Sequence, residues 1–170
     1  MRVGVFSDTH DNLLAIDRAI RLFQDERVEA VVHAGDIVAP FSLKLILARV
    51  EKMGVPLFAV FGNNDGERHG LAMLLPDLCD GPRHFDLGGR KICLVHDLDR
   101  LRHDDELAAD IVITGHTHLD TVCELKDGRL YVNPAECCGW LTGLCRAAIL
   151  DTETLSARSV VLMEQERPRS

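Results

Sequence analysis

The chain has 170 residues and a net charge of −8, from 19 Lys and Arg against 27 Asp and Glu. Its 46% apolar and 27% charged composition is that of an ordinary globular protein, and no apolar run reaches the ~20 residues that cross a bilayer. No Lys/Arg-rich block stands out against the acidic balance, which argues against duplex nucleic acid as a partner.

A chain of this length fits one domain, expected over residues 1–163 with a polar tail at 164–170. At this size roughly 70% of the unfolded surface can be buried, so no disulfide is needed to hold the fold. The start turns polar at Ser7, too soon for a signal peptide, and a cytoplasmic protein is the expectation.

In chain order, residues 2–6 (RVGVF) are β-branched and aromatic and read as a strand. A helix follows, with Leu13, Leu14, Ile16, Ala19, Ile20 and Phe23 at helical spacing and Asp11 or Asn12 as its cap. EAVVHA is a second strand, and FSLKLILARVEKM a second helix set between Pro40 and Gly54. PLFAVF is a third strand. Strand–helix–strand–helix–strand is the pattern of a parallel sheet.

The second half changes rhythm. RHFDL and KICLVHD read as a hairpin around Gly88-Gly89, and DRLRHDDELAAD as a short polar helix. IVITG is a buried strand. LDTVCEL and RLYVNP make a hairpin at Asp127-Gly128, and residues 145–164 a third one turning at DTET. The expected architecture is a mixed sheet, or two packed sheets, with helices outside.

Seven potential metal ligands stand at the ends of these strand-like runs: Asp8, His10, Asp36, Asn63, His96, His116 and His118. Hard oxygens mixed with imidazole nitrogens suit Mn²⁺, Zn²⁺, Fe or Ni²⁺ better than Ca²⁺ or a thiolate zinc site. Asp8 and His10 are two residues apart, as are His116 and His118; in extended chain such pairs point to one face. Gly35, Gly62 and Gly115 each precede a candidate ligand, where glycine permits positive φ and leaves the turn unobstructed. The crevice beyond the carboxyl ends of strands is the usual ligand site of open α/β sheets.

Other candidates read differently. His33, within VVHAG, is expected as a core histidine, and His69, His84 and His103 as solvated. Of six cysteines, Cys93 and Cys123 lie in apolar runs and are expected to pack as small hydrophobes. Cys79 completes no C-x-x-C pair. Cys137, Cys138 and Cys145 are read as loop packing rather than a zinc or redox site. Trp140 and Leu141 are expected in the core, with an apolar interface as the alternative.

The stretches SDTHDN, HAGD, GNNDGER, GHTH and NPAECCGWLTG resemble the calcineurin-like metallophosphoesterases, and more narrowly their small single-domain prokaryotic phosphodiesterases. The resemblance spans residues 1 to about 155. It implies a four-layer αββα sandwich of two mixed sheets flanked by helices, with two divalent metal ions. Mn²⁺ or Ni²⁺ is favoured, with Zn²⁺ or Fe as alternatives. Asp8, His10, Asp36 and His118 would hold the first ion, and Asp36, Asn63, His96 and His116 the second, with Asp36 bridging. Two such ions lower the pKa of a water and clamp the attacking and leaving oxygens. Asp36, Asn63 and His96 are then the expected catalytic residues.

The implied activity is hydrolysis of a small phosphodiester, without membrane partner; a homo-oligomer is compatible. A monoesterase, a nuclease of the same superfamily and a retromer-subunit-like scaffold are the alternatives. Three positions depart from the family pattern. Asn64 replaces a histidine proton donor. Asp97 follows His96 where the family has glycine, either adding charge or orienting His96. Ala135 replaces glycine in the NPG turn, which argues against a strongly positive φ there.

Overall fold

Alternation along β1 (Arg2–Phe6) sorts the two sides of a sheet. Val3 and Val5 face a second sheet, whereas Phe6 packs among helices. The computed structural model describes residues 1–102, 108–122 and 128–165, and the backbone alone of 123–124.

α1 (Leu13–Asp25) is capped by Asn12, whose side-chain oxygen accepts from the Ala15 N–H at 3.1 Å. Its buried stripe is Ala15, Ile16, Ala19, Ile20 and Phe23. Leu13 and Leu14 are exposed instead, because they lie off the helix face that Ala15, Ile16, Ala19, Ile20 and Phe23 bury. A Cβ on Gly4 would lie 2.6 Å from the Phe23 ring, so the close approach of α1 to β1 requires glycine there.

β2 (Ala30–His33) pairs parallel with β1, and α2 (Pro40–Met53) opens on proline and ends at Gly54, φ 70°. β3 (Leu57–Ala59) pairs parallel with β2 and is shorter than the run of 56–61, since Val60 only bridges Cys79. α3 (Arg68–Leu74) has no counterpart in the sequence reading. It lacks a side-chain cap and buries only Leu71, which leaves little periodicity to detect.

The hairpin β4 (Arg83–Leu87) and β5 (Arg90–Leu94) forms as expected. The segment read as one polar helix begins with a 3-10 turn at Leu98–Arg100, and residues 103–107 lie outside the described chain. β6 (Ile111–Ile113), β7 (Asp120–Glu124), β8 (Leu130–Pro134), β9 (Leu144–Asp151) and β10 (Ser156–Glu164) complete the order. Asp127 of the second hairpin turn also lies outside the description. β10 runs one residue past 163, and Gln165 donates its backbone N–H to Gly143 O. The remaining tail, 166–170, is not described.

The strands form two mixed five-stranded sheets, β10-β9-β1-β2-β3 and β4-β5-β6-β8-β7. Val3, Val5, Val32, Leu94, Ile111, Ile113 and Val132 fill the space between them. α1, α2 and α3 cover the outer face of the first sheet. On the outer face of the second, Leu101, Ala109 and Tyr131 pack with Cys93 and Val112. This is the expected α/β sandwich. Among the described residues no helix is long and apolar enough to cross a membrane.

Candidate metal centre

Register brings the strand ends to one level. Phe6 pairs with His33 and His33 with Ala59 in the first sheet, while Leu94 pairs with Ile113 and Ile113 with Val132 in the second. The loops leaving these ends carry all seven candidates. The two sheets are joined there: Asp8 Oδ2 accepts the His116 backbone N–H at 3.1 Å.

Extended pairs do not create the convergence. Asp8, His10, Asp36, His116 and His118 all have positive φ, at 51°, 35°, 60°, 67° and 58°. Each such non-glycine residue costs about 1–2 kcal/mol. Backbone hydrogen bonds hold the turns: Asp8 N to Gly35 O at 2.9 Å, His10 N to Asp36 O at 3.1 Å, Cys138 N to Asp8 O at 3.0 Å. Of the three flanking glycines only Gly35 has positive φ, 99°. Gly62 and Gly115 are needed for space. A Cβ would lie 2.1 Å from Asp36 Oδ1 at the first and 1.9 Å from Ser7 Oγ at the second.

Two constellations result. In one, His118 Nε2 lies 3.2 Å and His10 Nε2 3.8 Å from Asp8 Oδ1, and His10 Nε2 is 3.5 Å from Asp36 Oδ2. In the other, Asn63 Oδ1 is 2.9 Å from both His96 Nε2 and His116 Nδ1, and His96 Nε2 is 3.4 Å from Asp36 Oδ2. Asp36 touches both.

The imidazoles are oriented from behind. His96 Nδ1 is 2.7 Å from the Ala34 carbonyl, which makes it the protonated nitrogen and turns Nε2 to the site. His118 Nδ1 is 2.9 Å from Glu136 Oε2. Asp97 does not orient His96. Its Oδ1 accepts from Asp99 N, and its Oδ2 lies 4.0 Å from His116 Nε2.

Burial alone would raise the Asp8 carboxyl, yet His10, His118 and Ser7 hold it far below the usual carboxylate range. Asp36 is likewise lowered against burial, by His96 and by two Asn64 N–H groups. Burial opposes charge on His118, but Asp8 and then Glu136 raise it to about 9. His96 is raised against burial by Asp36. These are the acidities of a site that concentrates negative charge in a dry place.

A cation fits that place. Asp8 Oδ1 and His10 Nε2 are buried with no hydrogen-bond partner, a loss of roughly 1–3 kcal/mol or more for each group if nothing binds them. Donor atoms of Asp8, His10 and His118 lie within 4.8 Å of one another, as do those of Asp8, Asp36 and His96.

Two acidic residues escaped the sequence reading. Glu136 is fully buried and takes N–H groups from Leu141 and Thr142 and the Cys138 thiol proton as well as His118. Burial would raise it, but these donors hold it down to about 2. Asp65 accepts from Asp36 N at 3.2 Å, Gly62 N at 2.7 Å and Val38 N at 2.7 Å, fixing the Asp36 and Asn63 loops together. Its place in GNND was the available signal; for Glu136, the signal was a carboxylate in an otherwise apolar ECCGWL run.

Other expectations sort plainly. His33 is buried, with Nδ1 accepting from Gly35 N and Nε2 facing Thr9 Oγ1, and burial pushes it down to about 3. His69 and His84 are exposed, and His103 lies outside the described residues. Cys93, Cys137, Cys138 and Cys145 are buried free thiols, and burial pushes the pKa of the last three up. The Cys123 side chain lies outside the description.

Two further expectations are corrected. Ala135 has φ 66°, held there by Asn133 Oδ1 accepting its N–H at 3.0 Å. Trp140 and Leu141 are not core but exposed, because the Glu136 contacts turn their backbone outward.

Two sheets whose facing strand ends gather carboxylate, amide and imidazole donors define an α/β protein built around a metal centre. The chain belongs to the calcineurin-like phosphoesterase superfamily, whose domain model matches residues 1–155. It is 39% identical over 170 residues to a phosphodiesterase of Methanocaldococcus jannaschii, covering 95% of this chain and 99% of the relative. It is 34% identical over 147 residues to a probable metallophosphoesterase of Methanothermobacter thermautotrophicus, covering 79% and 76%. A solved archaeal phosphodiesterase superposes with TM-score 0.79 at 37% identity, covering 95% of this chain and 99% of that one.

Proposed function

We propose that this chain is a metal-dependent phosphodiesterase that hydrolyses a small phosphodiester. One observation carries the reading: the unpartnered Asp8 Oδ1 and His10 Nε2 face a ring of further donors, as a cation site requires. The similarity to proteins named phosphodiesterases supports the choice of reaction.

Asp8, His10, Asp36 and His118 would hold one ion, and Asp36, Asn63, His96 and His116 the other. Mn²⁺ or Ni²⁺ is proposed before Zn²⁺ or Fe. Bound there, a dication pair polarises phosphoryl oxygens and acidifies water for attack on phosphorus.

The chain's own residues do the rest. Asp36 Oδ2 reaches both constellations, 3.5 Å from His10 Nε2 and 3.4 Å from His96 Nε2. Asn63 is a neutral oxygen donor that can sit beside a phosphate without repelling it. Ala34 and Glu136 keep His96 and His118 in the tautomer that presents Nε2. Asn64 has no proton of useful acidity, so the leaving group takes its proton from solvent, substrate or a histidine.

A scaffold role would release the donor residues from use, and the full donor set with its buried orphaned atoms speaks against it. The proposal keeps one domain over 1–163, a cytoplasmic setting and room for a homo-oligomer.

The test is a hydrolysis screen of metal-stripped protein against diesters, monoesters and cyclic nucleotides, with Mn²⁺, Ni²⁺, Zn²⁺ and Mg²⁺ restored separately. Diester turnover dependent on a restored ion is expected. Monoester turnover exceeding diester turnover with every ion would overturn the substrate assignment, and ion-independent turnover the mechanism.

A further inference from the structure

His10, His118 and Asn64 share a cavity of about 250 Å³ with Trp140 and Leu141. One end is therefore the metal centre and the other an apolar wall. Trp140 is 47% and Leu141 69% exposed, although both are large and apolar. Among the described residues no Lys or Arg lines the cavity. At the Trp140–Leu141 end a flat apolar substituent would cover the indole.

The wall is built and fixed. Trp140 Nε1 donates to the His10 carbonyl at 3.3 Å, tying the ring to the loop of a candidate ligand. The Leu141 N–H donates to both oxygens of buried Glu136 at 3.1 Å, and Thr142 N–H to one of them. Glu136 also faces His118 Nδ1 at 2.9 Å, so one carboxylate sets both ends of the cavity. Gly139, φ 71°, leads into the wall where a Cβ would lie 2.8 Å from Cys145 Sγ. The indole is held in place before anything binds, which lowers the ordering loss on association.

We propose that Trp140 and Leu141 are specificity-determining residues that pack a planar aromatic substituent of the substrate, making it an aryl or nucleoside phosphodiester rather than a simple alkyl one. This rests on the phosphodiesterase reading for the phosphate end of the cavity. A phosphate seated at His10 and His118 would have this apolar wall beside it to receive an ester group. Stacking of one planar group on an aromatic side chain changes affinity on the order of 10-fold or more.

Hydrolysis rates alone would confuse the wall with leaving-group acidity, so the test uses compounds without a leaving group. Trp140 is the only tryptophan, and its emission reports the wall directly. Phenylphosphonate, methylphosphonate and adenosine 5′-monophosphate are titrated into zinc-loaded protein by calorimetry and fluorescence; Zn²⁺ is d¹⁰, without unpaired electrons to quench the indole. Phenylphosphonate should bind about 10-fold tighter than methylphosphonate and change Trp140 emission. The ratio should fall toward one in Trp140→Ala and Leu141→Ala, and stay within about threefold of the parent in Trp140→Phe, which keeps an aromatic face. Tighter nucleotide than phenylphosphonate would assign the planar group as a nucleobase, and the reverse as a simple aryl group.

A parent ratio near one, or no binding of either phosphonate, overturns the wall even if diesters are hydrolysed. A high ratio lost in Trp140→Ala upholds the wall even if no diester turns over, in which case only the activity reading fails.

Discussion

Asn64 donates its backbone N–H to Asp36 Oδ1 and its side-chain amide to Asp36 Oδ2, each at 2.7 Å. Both oxygens of the carboxylate shared by the two constellations are thus held in direction by one neighbouring residue. An amide at position 36 would offer one acceptor and turn its NH₂ against a donor of Asn64. It would also lose the charge that two cations share.

Asp36→Asn should therefore lower diester turnover by on the order of 10³-fold or more, about 4 kcal/mol of transition-state stabilisation. Metal stoichiometry measured on the same sample should fall below that of the parent protein. Activity within tenfold of the parent would rule out a bridging role for Asp36.

The same Asn64 sets an expectation for leaving groups. Positioned acid catalysis typically contributes about 10²–10⁴-fold, and an amide cannot supply it. Rates across aryl and alkyl diesters should fall steeply as leaving-group pKa rises, and Asn64→His should flatten the slope if its ring reaches the ester oxygen. A flat line in the parent protein, with chemistry rate-limiting, would mean that another residue donates the proton.

Glu136→Gln keeps the shape of a buried side chain but sets an amide NH₂ toward His118 Nδ1 and the Cys138 thiol. Loss of such an orienting carboxylate typically costs 10- to 100-fold in metal affinity. Calorimetric titration of the metal-free variant should show a loss of about that size, with turnover partly restored at high metal concentration. Unchanged affinity would reduce Glu136 to a loop anchor.

Metal-free protein should be most stable near the ordinary histidine pKa of 6.5. His33 is lowered to about 3 by burial, so its stabilising contribution is present above 6.5 and is lost as pH falls toward 3. His118 is raised to about 9, and its contribution is present below 6.5 and lost as pH rises through 9. The acid limb carries on the order of 4 kcal/mol at most. Urea denaturation between pH 4.5 and 9 reads both limbs, and His33→Asn should flatten the acid one. A parent protein equally stable at pH 4.5 and 6.5 would contradict the burial of a neutral His33.

Some of this was open to reading from local pattern. Two strand–helix units with the strand after them, the hairpins and the seven donors at strand ends all depend on neighbours a few residues apart, and periodicity and spacing carry that information. His33 was separable from the site for the same reason: it sits inside a strand-like apolar run, not beyond it.

Other features rest on pairings between distant segments, which no spacing encodes. The left-handed turns at Asp8, His10 and Asp36 are stable only because Gly35 O, Asp36 O and the Cys138 N–H meet them from elsewhere in the chain. Ala135 tolerates φ 66° because Asn133 closes its turn, overriding an intrinsic preference of about 1–2 kcal/mol. Trp140 is exposed because buried Glu136 binds the backbone that follows it. Residue types and order determined which chemistry gathers at the strand ends. Only the packing of two sheets decided which backbone strain is held, which histidine each carboxylate orients and which side of the cavity is apolar, because those energies arise from contacts made after the chain has folded.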